Sequence, residues 1–64
     1  MPVITVQMHE TSPEQKADLI HSLTAAAVEV TRIPAPMFIV LIQELKDQNI
    51  GIGGKTRAEV MATR

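Results

Sequence analysis

There is no cysteine in these 64 residues, no tryptophan and no tyrosine, and Phe38 is the one aromatic. Without thiols there is neither a disulfide framework nor thiolate metal ligation. The two histidines, His9 and His21, stand too far apart for a helical metal pair, so no metal site is expected. Nor does one sign of charge dominate: six Lys and Arg face seven Asp and Glu, a net charge of −1 at pH 7. The cations are scattered and lack an aromatic stacking platform, which argues against a nucleic-acid partner. No apolar run approaches the ~18 residues of a membrane span. The opening residues lack the basic start and long apolar core of a signal peptide. The expectation is a cytoplasmic chain with no membrane partner.

What the chain does have is aliphatic bulk, since 45% of its residues are apolar. It reads as one domain over residues 1–64. A domain of this size buries only about 60% of its unfolded surface. With no disulfide or metal to staple it, the remaining outlet for so much Val, Ile, Leu and Ala is a partner subunit.

Val3 to Met8 alternates, with Val3, Thr5 and Gln7 on one face and Ile4, Val6 and Met8 on the other. This pattern predicts a strand with one strongly apolar face. Pro2 suits its start, because proline has no N–H to give a ladder. In "TSPEQK", Ser12 is an N-cap, Pro13 fits the first helical position and Gln15 completes a capping box. The helix is predicted from about Pro13 to Thr31, with Leu19, Ile20, Leu23, Ala26, Ala27 and Val30 as its apolar stripe and His21 on the solvent side. "IPAP" ends it, since each proline expels the residue before it from the α region.

Met37 to Leu45 reads M-F-I-V-L-I-Q-E-L, a strand-length run with six consecutive apolar residues. Burial on both faces is the mark of a parallel strand. Strand, crossover helix and strand make a right-handed βαβ unit. Two strands do not form an independently stable sheet, a second reason to expect an oligomer. The later "NIGIGGKT" invites a phosphate-loop reading, but Asn49 stands where that motif needs glycine. A tight turn or short glycine-rich hairpin packed on a neighbouring subunit is the better expectation.

Taken together, Pro2 behind Met1, Ser12 with Glu14-Gln15-Lys16, Leu19-Ile20, Pro34, Val40, Ile42, Glu44 and Gly51-Ile52-Gly53-Gly54 resemble the 4-oxalocrotonate tautomerase family, the small-subunit branch of the tautomerase superfamily. The resemblance spans nearly the whole chain. It implies an α/β subunit, a single βαβ unit with a C-terminal hairpin, assembled as a homo-oligomer, mostly a hexamer that is a trimer of dimers. It also implies that Pro2, freed as a secondary amine by loss of Met1, is the catalytic base. That base interconverts enol and keto forms of a 2-hydroxydienoate or aryl enolpyruvate, with no cofactor. Burial among aliphatic side chains would lower the amine's pKa toward neutrality, as a base requires.

The departures fall on the anion clamp. Relatives commonly carry Gly-Arg before the helix cap; here the loop is "HETS", one residue shorter and without arginine. A second arginine early in the long strand is replaced by Ile39, and an aromatic before "GIGG" is replaced by Ile50. His9 falls where relatives place a residue facing the active site. The candidate site is therefore Pro2 as base with His9, Ile39 and Ile50 as substrate-binding residues, and Lys46, Lys55 and Arg57 as cations within reach. An impaired tautomerase-fold subunit, or a binding protein for a small apolar ligand, is the alternative reading of the missing arginines.

Overall fold

Pro2 lends its carbonyl, not an N–H, to the sheet: the Ile39 N–H donates to it at 3.0 Å. In a computed structural model, which describes residues 1–62, the first strand, β1, follows as Val3–His9. A helix, α1, spans Pro13–Thr31, and a second strand, β2, spans Ile39–Leu45. The strands are parallel and pair in register from Val3 with Ile39 to His9 with Leu45. Two-residue strands β3, Gly51–Ile52, and β4, Lys55–Thr56, then form an antiparallel hairpin ahead of a short helix, α2, Arg57–Ala62. This is the expected βαβ unit with its C-terminal hairpin.

The predicted bounds of α1 hold, and both ends have local causes. The Ser12 hydroxyl accepts from the Gln15 N–H at 3.1 Å. The capping box is only half formed, however, because the Gln15 side chain turns to the Thr11 hydroxyl instead of the cap's N–H. At the far end Arg32 adopts a left-handed conformation (φ 63°) and its N–H closes on the Val28 carbonyl at 2.8 Å. The second strand starts later than predicted. Ala35–Met37 form a single 3-10 turn, with the Met37 and Phe38 N–H groups donating to Pro34 and Ala35. Pro36 fits a first turn, where its missing N–H leaves no bond unmade. In the hairpin, Ile52 pairs with Lys55, and the two intervening residues, Gly53 and Gly54, have φ of 60° and 86°. Positive φ at both central positions is the primed turn that glycine adopts without strain.

Alternate residues of both strands, Ile4, Val6, Met8, Val40, Ile42 and Glu44, are half-buried beneath α1. The opposite face is open: Val3 is 54% exposed, Ile39 39% and Leu41 52%. A Gln7–Gln43 side-chain hydrogen bond of 2.9 Å lies at its far end. The second buried face expected of β2 is thus uncovered in one subunit. The apolar stripe of α1 also differs from its prediction. Leu19, Leu23 and Ala27 do turn inward, joined by Lys16, Thr24 and Val28, whereas Ile20, Ala26 and Val30 are exposed. A 19-residue helix runs ~28 Å beside strands of ~23 Å, so the last turn overhangs the sheet. Val30 lies there, 83% exposed.

Among the described residues none is fully buried. The Cα radius of gyration is 14.9 Å, against about 11 Å for a compact chain of this length. The subunit exposes 4866 Å², where a folded monomer of its mass presents about 4,000 Å².

Candidate active site

The expected site residues separate into two groups. Pro2 and Ile39 meet at the amino-terminal end of the sheet, joined by the Ile39 N–H bond to the Pro2 carbonyl. Pro2 is half-buried, with the aliphatic Val3, Ile39 and Met37 exposed nearby in the fold. His9 and Ile50 lie at the other end, seven strand residues and ~23 Å away, where both line one cavity of about 470 Å³. A single subunit therefore does not bring Pro2 and His9 together.

The carboxyl end is organised by Glu44 and Asp47. One Glu44 oxygen accepts from Lys16 Nζ at 2.8 Å, and the other accepts from the Thr11 N–H at 2.8 Å. This carboxylate therefore ties the "HETS" loop and the first turn of α1 to β2. The Lys16 hydrogen bond and then the Thr11 N–H hold the Glu44 carboxyl below the usual carboxylate range, outweighing its partial desolvation.

Asp47 begins the 3-10 turn Asp47–Asn49 that joins β2 to the hairpin. Its Oδ1 accepts from Arg57 Nη1 at 2.7 Å. The Arg57 backbone N–H donates to the Ile50 carbonyl, also at 2.7 Å. Arg57 is thus held at both ends of its side chain, and the residue lines the same cavity as His9 and Ile50. Of the other candidate cations, Lys46 lines an adjoining depression of about 400 Å³, and Lys55 is exposed on β4.

One local feature went unread in the sequence. Thr56-x-x-Glu59 is a capping box: Thr56 accepts from the Glu59 N–H at 3.2 Å, while the Glu59 carboxylate accepts from the Thr56 N–H at 3.1 Å and its hydroxyl at 2.9 Å. These two bonds, the backbone one foremost, lower the Glu59 pKa. The box starts α2 at Arg57, whose side chain reaches back to Asp47 in the turn before the hairpin. The Ser/Thr-x-x-Glu spacing was the signal.

The family described as "Tautomerase enzyme" matches this chain over residues 2–59. A probable tautomerase of Bacillus cereus is 39% identical over 56 residues, covering 86% of this chain and 92% of that protein. A 2-hydroxymuconate tautomerase of Bacillus subtilis is 31% identical over 61 residues, covering 94% and 98%. Among solved structures, TomN, a 4-oxalocrotonate tautomerase homologue in the tomaymycin biosynthetic pathway, superposes with a TM-score of 0.91 at 35% identity, covering 95% of each chain.

Proposed function

Because the chain belongs to the tautomerase family, we propose that it is an isomerase that interconverts the enol and keto forms of a 2-hydroxydienoate or aryl enolpyruvate, with Pro2 as the base. The observation that carries this reading is the position of Pro2. It stands at the head of β1 with its carbonyl fixed by Ile39 and its nitrogen outside the ladder. Met1 is 76% exposed, within reach of removal. Removal converts an amide nitrogen without basicity into a secondary amine. That amine takes the proton from the enol hydroxyl, and the resulting ammonium returns a proton to carbon as the carbonyl forms. The net change is an isomerisation with no proton gained or lost. Once a neighbouring subunit covers them, the aliphatic side chains around Pro2 would disfavour the ammonium, which is what a base working near neutral pH requires.

Pro2 and Ile39 lie at one end of the sheet, and His9 and Ile50 at the other. A site that uses all four is therefore built between subunits. The open face of Val3, Ile39 and Leu41 supplies a surface for that assembly, with the hexamer implied by the family resemblance as its form.

The test joins intact mass with an ultraviolet assay of enol ketonisation. The expected result is a chain lacking Met1 that accelerates ketonisation, and a Pro2→Ala variant that loses most of the rate. Full activity with Met1 retained would remove proline from the mechanism. A processed chain inactive on every enol acid would favour the impaired-subunit reading instead.

A further inference from the structure

We infer that Arg57 is the carboxylate anchor of this site, and that the cavity it serves is built for an enol acid with one carboxylate on an apolar body. The inference rests on the tautomerase reading. Three depressions converge on His9, and their charges differ. In the groove between β1 and α1 the charged lining residue is Asp18, which repels an anion. In the depression past the strand ends, Lys46 and Arg57 are offset by Glu10 and Asp47. In the third, of about 470 Å³, Arg57 is the charged lining residue, its ion-pair partner Asp47 lining the second depression instead, and Met8, Leu45, Ile50 and Ile52 supply apolar wall beside the polar Gln7 and His9.

A guanidinium carries five N–H donors in a planar fork. The contact with Asp47 engages Nη1, and among the described residues the remaining donors have no partner. The Arg57 side chain is only 23% exposed, and its backbone is fixed to Ile50, so the fork is oriented before a ligand arrives. A preoriented, partly desolvated guanidinium is suited to two-point recognition of a carboxylate. Asp47 is the positioning residue, and His9 adds a ring nitrogen to the same wall. A second carboxylate on the substrate would find no second Lys or Arg among the lining residues, only the polar Gln7 and His9, so its desolvation would be compensated in part at most.

The experiment compares kcat/KM for enolic phenylpyruvate, its methyl ester and the dicarboxylate 2-hydroxymuconate. The proteins are wild type, Arg57→Gln, Arg57→Lys and Asp47→Asn, each checked for assembly by sedimentation. Wild type should prefer the monocarboxylate. Arg57→Gln should raise KM for the acid by about 10- to 100-fold, the worth of one charge-assisted pair, and leave the ester nearly unchanged. Arg57→Lys should recover part of that loss, since it restores charge without the fork. Equal losses for acid and ester would make Arg57 a structural strut and overturn the inference, while leaving the tautomerase reading intact. If Arg57→Gln fails to assemble, an acid-selective loss in Arg57→Lys carries the same test. If wild type turns over none of the three, nuclear magnetic resonance titration with 3-phenylpropionate separates the two readings. Binding abolished by Arg57→Gln upholds the anchor while the proposed reaction fails, and the absence of binding in wild type overturns the anchor too.

Discussion

Replacing Leu41 with aspartate tests whether the open sheet face is what holds the protein together. Leu41 lies at the centre of that face, between Val3 and Ile39 on one side and the Gln7–Gln43 bond on the other, and is 52% exposed in one subunit. Fully burying a leucine is worth about 1.5–3 kcal/mol, so covering the open half contributes about 1 kcal/mol per subunit. A two-fold contact uses the residue twice, and Leu41→Ala should then weaken a pair by about 2 kcal/mol, roughly 30-fold in dissociation constant. Leu41→Asp adds two facing carboxylates without partners and should abolish assembly at micromolar concentration. Since none of the described residues is completely buried in one subunit, disassembly and unfolding are expected together. Sedimentation velocity and thermal melts across a hundredfold concentration range read both. A wild-type subunit that sediments as a folded monomer, or a Leu41→Asp variant with unchanged mass and Tm, would refute the reasoning.

Pro2→Ala should lower kcat by about 10²- to 10⁴-fold, the contribution of a positioned general base, with the new primary amine recovering part of the loss; single-turnover ultraviolet kinetics on the processed chain measure it. Ile39→Arg should shift the kcat/KM ratio toward a dicarboxylate, because the added guanidinium meets a carboxylate that the aliphatic wall leaves unpaired; a ratio unchanged from wild type would put Ile39 outside the site. Glu44 has a lowered pKa in the folded chain, so its brace stabilises above the ordinary carboxylate range and is lost as pH falls through the lowered value. Melting temperature should therefore drop on acidification, and Glu44→Gln should flatten that slope, leaving the part that Glu59 supplies.

Most of the fold was legible because its signals are local. Ser12 and Pro13 announce the start of α1, two glycines announce the hairpin turn, and six apolar residues in a row announce a parallel strand. Errors arose where a neighbour in space decided the outcome. Pro36 drew Met37 into a 3-10 turn, Gln15 preferred the Thr11 hydroxyl, and the overhang of α1 exposed Val30. The candidate site was legible residue by residue but not as an arrangement. That Ile39 sits with Pro2, and Ile50 with His9, follows from strand register and from the turn after β2, which no spacing rule supplies. The Asp47–Arg57 pair was unreadable for the same reason, since it closes across a hairpin.

The parallel pairing also bears on the order in which the chain comes together. In a hairpin the rungs near the turn close first, over the fewest residues. Here every rung joins residues 36 apart, as Gln7 and Gln43 are, so no rung has a head start. The links that close shorter loops are those of Glu44, spanning 33 residues to Thr11 and 28 to Lys16. Once α1 has formed, much of that intervening chain is already rigid, and one encounter between its first turn and Glu44 sets the strands side by side. Alignment is then expected to begin at the His9 end and run backwards along the chain, reaching Pro2 last.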